Sequence, residues 1–504
     1  MNRTYLVMLG SVLLGAILYF SMSVEKSTST SGEPIMLYCA ASNRAVIEKI
    51  RDQYVAEYDR NVEIQYGPSQ TLLSSIEVSK HGDLYLPADD SYLESGRELQ
   101  LINEVIPVAR MQGVIAVKKG NPKHIASYAD LLNENVRLVQ ANEAAAIGRQ
   151  AKRVLSQQDL WDDIHKATTA YRTTVTDVAN DILVGSADAG IVYDAVLHTY
   201  PDLEFVEIPE LNDVAAECAI GVISTCKQPQ AALHFARYVA ARDRGLKVYE
   251  NHGFRTNGGD TWESRPELSI FAGSMLQPAI EDTITEFEKR EGIRVSRVYN
   301  GCGILVGQMQ AGLTPDAFFA CDTEFMDQVT DLFPESVAVS QNELVILVQK
   351  GNPHAIKSLR DLTRKGLRVG IGHEKQCAMG WITQNTFREG GVQQEVMSNV
   401  TVQTPTGDLL VNQMLTGSLD AAVAYLSNAA GSGEKLDAIR IVDIDCSIAT
   451  QPWAVGKESK YPQLAHRLFL NICSAESQDA FAAEGFTWKA ETKDQSVTED
   501  SSNE

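Results

Sequence analysis

A four-residue string occurs twice in the chain: Lys119-Gly120-Asn121-Pro122 returns 231 residues later as Lys350-Gly351-Asn352-Pro353. Gly185-Ser186-Ala187-Asp188-Ala189 returns as Gly417-Ser418-Leu419-Asp420-Ala421, now 232 residues on. Tyr193 and Tyr425, Gly253-Phe254 and Gly485-Phe486, and Ala41-Ser42 and Gly273-Ser274 keep the same spacing. A period this long is that of a whole domain, so the pattern is a tandem duplication and not a short solenoid repeat. At 504 residues the chain also exceeds what one core usually organises. The copies run over 34–257 and 266–489, with a polar linker at 258–265.

Within each copy, short β-rich runs alternate with amphipathic helix patterns. Ile35 to Cys39 reads as a strand, and Arg44 to Tyr58 as a helix with Val46, Ile47, Ile50, Tyr54 and Val55 on one face. Val62 to Tyr66 is a second strand and Thr71 to Ser79 a second helix. Each Lys-Gly-Asn-Pro follows a strand (113–118 and 343–349) and leads into a helix-like stretch (124–132 and 354–362). The order predicts an α/β fold with a mainly parallel sheet. In such sheets ligands bind beyond the carboxyl ends of strands, at the loops that enter helices.

Three features occupy those places. The first is Ala40-Ala41-Ser42-Asn43, matched by Ala272-Gly273-Ser274-Met275. A small-small-Ser turn offers a hydroxyl and free N–H groups at a positive helix end, which suits an anion; the same serine also suits a plain N-cap. The second is Tyr66-Gly67-Pro68-Ser69-Gln70, matched by Tyr299-Asn300-Gly301-Cys302-Gly303, which reads as a ligand loop or an ordinary turn. The third is the strand end at Tyr193 and Tyr425. Their hydroxyls could enter a cleft, or the rings could simply pack in the core. Asp188 and Asp420 read as structural carboxylates, since they would repel an anion.

Charge narrows the partners. Lys and Arg total 44 against 66 Asp and Glu, a net charge of −22, so no basic footprint exists for nucleic acid. At the N-terminus Arg3 precedes an apolar run from Tyr5 to Phe20, and no further charge appears until Glu25. Residues 1–24 therefore read as a secretory signal peptide or a membrane anchor, followed by a flexible tether at 25–33. The expected location is periplasmic or otherwise extracytoplasmic. The acidic tail 490–504 reads as disordered. The eight cysteines show no zinc spacing and no disulfide framework, and their pairing stays open. No metal or cofactor is expected.

Ala-Ala-Ser or Ala-Gly-Ser, the Gly-rich Ser loop, Lys-Gly-Asn-Pro and Ala187-Asp188-Ala189-Gly190-Ile191-Val192-Tyr193, in this order, resemble the molybdate/tungstate-binding proteins of ABC importers, which are type II periplasmic binding proteins. The resemblance covers both copies. It implies two tandem α/β modules, each of two lobes around a central cleft, and capture of a small tetrahedral oxyanion for an importer permease. It implies neutral donors: Ser42, Ser69, the amides near Ala146, Ile147 and Val175, and the Tyr193 hydroxyl. In the second copy the matching set is Ser274, Cys302, the amides near Ala378, Met379 and Gly407, and Tyr425. No Lys or Arg is among these donor positions, so charge would be met by oriented dipoles.

Departures from the family pattern bear on the ligand. Pro68 removes a backbone donor from the first copy's loop. Cys302 puts a weaker thiol donor where the first copy has a serine. Cys377 falls near the other side of the same cleft and Cys321 at a lobe-one strand end; chance, a bridge and a soft ligand all remain open. Catalysis is disfavoured, because no Ser-His-Asp, Cys-His or paired-carboxylate arrangement stands out. Two other readings keep the scaffold: a membrane-anchored sensor or interaction protein, or a binder of sulfate, phosphate or an organic anion.

Overall fold

The computed structural model describes residues 32–256 and 258–490. The expected signal or anchor segment, nearly all of the tether and the acidic tail beyond Ala490 lie outside the described residues. The chain divides into two compact units, 1–257 and 258–504.

The first unit contains strands β1 (Ile35–Ala40), β2 (Val62–Gly67), β3 (Leu84–Leu86), β4 (Ile102–Lys118), β5 (Leu138–Ala141), β6 (Thr168–Arg172), β7 (Ala189–Tyr193), β8 (Leu203–Val206), β9 (Ala215–Ile223) and β10 (Arg255–Thr256). Their order is β2-β1-β3-β9-β4-β7-β5-β6, with β8 and β10 also on β4. β1 and β7 are almost wholly buried because helices cover both faces of their sheets, which explains their unbroken apolar runs. The helix Arg44–Tyr58 turns Val46, Ile47, Ile50 and Tyr54 onto the sheet; each fully buried aliphatic chain contributes about 1.5–3 kcal/mol.

β4 shapes the unit. Its first two-thirds pair with β9 in lobe one, from Ile102↔Ile223 to Gln112↔Ala215. Its last third pairs with β7 and β8 in lobe two, starting at Gly113↔Tyr193. The chain returns to β9 beside it, where the Gly113 N–H donates to the Val214 carbonyl at 2.6 Å. Two lobes thus share one long strand and one return strand. The expected mainly parallel sheet is consequently mixed: β1, β2 and β3 are parallel, as are β5, β6 and β7, but every pairing of β4 and β9 is antiparallel.

The second unit repeats this plan with β11 (Glu267–Gly273), β12 (Arg294–Asn300), β13 (Ala317–Phe319), β14 (Val337–Gln349), β15 (Val369–Gly372), β16 (Val400–Thr404), β17 (Ala421–Tyr425), β18 (Leu436–Arg440), β19 (Ile448–Val455) and β20 (Thr487–Trp488). The order β12-β11-β13-β19-β14-β17-β15-β16 is the same. A buried ion pair lies behind lobe one, with Arg467 Nε 2.7 Å from Glu291 Oε1.

One local expectation differs from what forms. The stretches after Lys-Gly-Asn-Pro are mostly turns, with only Tyr128–Leu131 and the 3-10 segment Leu359–Thr363 helical. In each, the asparagine amide clasps the chain four residues on (Asn121 with Ile125, Asn352 with Ile356), closing a loop where a helix would begin. The linker segment 258–265 packs against the second unit. Asp260 accepts from the N–H groups of Gln463 and Leu464, capping the helix Pro462–Ile472, and Trp262 is buried.

Candidate functional site: one cleft and its counterpart

In the first unit, the loops after β1, β2, β3, β5, β6 and β7 meet in a cleft with about 250 Å³ of empty space. Ser42, Ser69, Ala146, Ile147, Val175 and Tyr193 all line it, drawn from both lobes. Ala40, Ala41, Gly67, Pro68, Ala88, Ala145 and Thr174 complete the wall. Among the described residues lining it, none is charged.

Its donors have identifiable sources. Four helical segments begin at the cleft: the 3-10 turn Ala41–Asn43 leading into Arg44–Tyr58, then Ser69–Ser79, Ala146–Gln157 and Val175–Val184. The first N–H groups of a helix have no partner within it, and together they make its N-terminus positive. Ala145 cannot cap with a side chain, so the Ala146 and Ile147 amides remain open to a ligand. At the fourth helix, Thr174 and Asp177 form a capping box, leaving Val175 to present its N–H. The Ser69 hydroxyl accepts from the Ala88 N–H at 3.1 Å, which aims its own proton elsewhere. The Asn43 amide approaches Ser42 Oγ at 3.5 Å.

Tyr193 is fully buried, and its hydroxyl has no hydrogen-bond partner among the described residues. Burial, then the nearby Asp89 carboxylate, pushes its pKa well above the ordinary tyrosine range. The hydroxyl therefore keeps its proton and remains a donor. An orphaned buried hydroxyl costs about 1–3 kcal/mol, and at a cleft wall this cost is offset when a ligand accepts from it.

The lobes also touch directly. The Gln70 N–H donates to the Ala144 carbonyl at 3.2 Å. Behind the cleft, Arg149 lies 3.6 Å above the Tyr92 ring and donates to the Ser91 hydroxyl, while Gln150 Nε2 donates to Asp89 at 2.9 Å. These contacts hold the helix Ala146–Gln157 of lobe two against lobe one. Sequence reasoning missed them. A signal was present, because a cation in a helix's first turn opposes the dipole and calls for a tertiary partner.

The second unit differs. Cys302, Ala378, Met379, Gly407 and Tyr425 are buried, and Ser274 is half-buried. Tyr425, like Tyr193, has a buried hydroxyl without a partner among the described residues, and burial raises its pKa likewise. Lobe one meets lobe two through backbone. A Cβ on Gly301 would lie 2.4 Å from the carbonyls of Gln376 and Pro405, and one on Gly303 would lie 2.0 Å from that of Lys375. Only glycine permits this approach. The Asn428 carboxamide sits against Gly407, where a Cβ would lie 2.1 Å from its oxygen. Cys302, Cys321 and Cys377 take the places of Ser69, Ala88 and Ala145. Arg149 and Gln150 are matched by Trp381 and Ile382, so the polar clasp of the first unit has no counterpart.

Comparison with known proteins agrees with the duplicated plan. The family model for bacterial extracellular solute-binding proteins matches residues 35–255 and again 268–487. The chain belongs to that family, twice over. A molybdate-binding protein ModA of Mycobacterium tuberculosis is 28% identical over 223 residues, covering 44% of this chain and 84% of that protein. A putative binding protein of Haemophilus influenzae is 26% identical over 224 residues, covering 44% and 90%. Among solved structures, the substrate-binding domain of a putative molybdenum ABC transporter from Clostridium difficile is 22% identical, covering 44% of this chain and 99% of that one, with a TM-score of 0.36. The sulfate-binding protein SubI of Mycobacterium tuberculosis is 15% identical, covering 44% and 86%, with a TM-score of 0.39. The family is one of bacterial extracellular solute-binding proteins. Among the described residues, no helix is long and apolar enough to cross a membrane.

Proposed function

We propose that the first module captures a small tetrahedral oxyanion, molybdate or tungstate, and presents it to an ABC importer permease from a site held near the membrane by the N-terminal segment. The observation that carries this reading is the Tyr193 hydroxyl, buried and unpartnered in a wall otherwise made of small side chains and helix N-termini. Ser42, Ser69, the Ala146, Ile147 and Val175 amides, and Tyr193 supply six neutral donors. Six hydrogen bonds to a dianion, at about 1.5–3 kcal/mol each before ordering costs, exceed the roughly 8 kcal/mol that micromolar affinity needs. The second module's Ser274, Cys302, Ala378, Met379, Gly407 and Tyr425 form a poorer set, since a thiol donates weakly.

Selectivity follows from the wall. With no cation in the cleft, an anion is held only where its oxygens match the fixed donors, and a protonated oxyanion meets donors with its own donor. Phosphate carrying a proton at neutral pH is therefore disfavoured. Titration calorimetry of the full chain with molybdate, tungstate, sulfate and phosphate tests this. Micromolar or tighter molybdate or tungstate binding at one site per chain is expected. Heat from sulfate alone, or from none of the four, would overturn the assignment.

A further inference from the structure

The second unit holds a thiol pair at the positions where the first unit's cleft wall has Ser69 and Ala88. Cys302 Sγ and Cys321 Sγ lie 2.6 Å apart, and the Cys321 N–H donates to Cys302 Sγ at 3.0 Å. Two unbonded sulfurs ordinarily stay well beyond this separation, whereas a disulfide brings them to roughly 2.05 Å. The first unit has a serine and an alanine in these places, with the equivalent N–H to Oγ bond between Ala88 and Ser69 at 3.1 Å. The backbone arrangement is thus common to both units, and only the side chains differ. Gly273 makes room for the sulfurs: a Cβ there would lie 2.1 Å from Cys321 Sγ and 3.3 Å from Cys302 Sγ. Ala41 fills the corresponding position in the first unit, where no sulfur needs the space.

We propose that Cys302 and Cys321 form a reversible disulfide at the second unit's counterpart of the first cleft, making that place a redox-modified site. The step is an exchange. Each thiol gives up its proton and the sulfurs join, while an external disulfide, from a small thiol or a thiol oxidoreductase, accepts the two electrons and leaves as two thiols. Cys302 and Cys321 are 0% and 5% exposed, so reagent reaches them during folding or when the lobes part. The mutual hydrogen bond and then burial raise the Cys321 thiol well above its ordinary range, which slows attack while the lobes are closed. Oxidation removes the S–H that stands in the place of Ser69 and leaves Cys377, at the start of the helix Ala378–Glu389, as the remaining thiol of the three.

The full chain is refolded in a glutathione redox series, quenched with acid, alkylated under denaturing conditions and cut before aspartate. Asp316 lies between the two cysteines, so the fragments carrying them separate unless a disulfide joins them. The expected result is a joined pair that loses two alkyl groups in oxidising buffer and regains them with reductant. In Cys321→Ser the Cys302 fragment should be fully alkylated in every buffer, with an unchanged circular dichroism spectrum. Full alkylation of Cys302 and Cys321 across the series, or capture of Cys302 by a different cysteine, would overturn the proposal. Because the readout is covalent mass, failure here is distinct from failure of anion binding.

Discussion

Replacing Tyr193 with Phe separates a ligand donor from a packing residue. The ring is fully buried, and its hydroxyl is orphaned among the described residues. Phe keeps the ring and deletes only the oxygen. In the free protein this relieves the desolvation of an unpaired hydroxyl, by about 1 kcal/mol, which for a module of this size raises Tm by about 2–4 °C. In the complex it removes one hydrogen bond to a charged acceptor, about 1.5–3 kcal/mol, or roughly 10- to 150-fold in Kd. The signature is opposite in sign for the two properties: a more stable free protein that binds more weakly. Differential scanning calorimetry without ligand and isothermal titration with molybdate read the two arms. Unchanged affinity in Tyr193→Phe would refute the donor role, whatever happened to Tm.

Arg149→Met should weaken binding by about 1–2 kcal/mol, because the cation–π contact with Tyr92 and the bond to Ser91 exist only with the lobes together; stopped-flow release should show the loss as a faster off-rate. Burial, then the Asp89, Glu94 and Glu217 carboxylates, pushes the Asp90 carboxyl up to about 7. The folded state then holds a proton that the unfolded chain has lost, so stability falls as pH rises from about 4 to about 7. Asp90→Asn should flatten that slope in thermal melts and raise Tm at pH 8 relative to the parent. Glu291→Gln removes the carboxylate that pairs with the buried Arg467 and should cost the second module about 3–5 kcal/mol, seen as a lowered transition of that module while the first holds.

The duplication and the cleft loops were readable because they depend on residue type at fixed places. Ser42, Ser69 and Tyr193 stand at strand ends, where an α/β layout puts its openings, and they share one wall with Ala146, Ile147 and Val175. The antiparallel course of β4 and β9 was not readable. It depends on a strand that changes lobes at Gly113, and no local pattern marks the change. The helix expected after Asn121 failed for a local reason, since an asparagine side chain competes successfully for the backbone. The Arg149 and Gln150 contacts join positions far apart in the chain, and periodicity carries no information about such pairs. The convergence of Cys302 and Cys321 was visible only as a shared neighbourhood, because the 2.6 Å approach depends on the gap that Gly273 leaves.

The most direct test of the central claim is a crystal structure of the full chain grown with tungstate, using the tungsten anomalous signal to locate the ion. The account predicts a peak in the first cleft, with oxygens within hydrogen-bonding distance of the Ser42, Ser69 and Tyr193 hydroxyls and the Ala146, Ile147 and Val175 amides. A first cleft without tungsten, or a tungsten held elsewhere by cationic side chains, would contradict it.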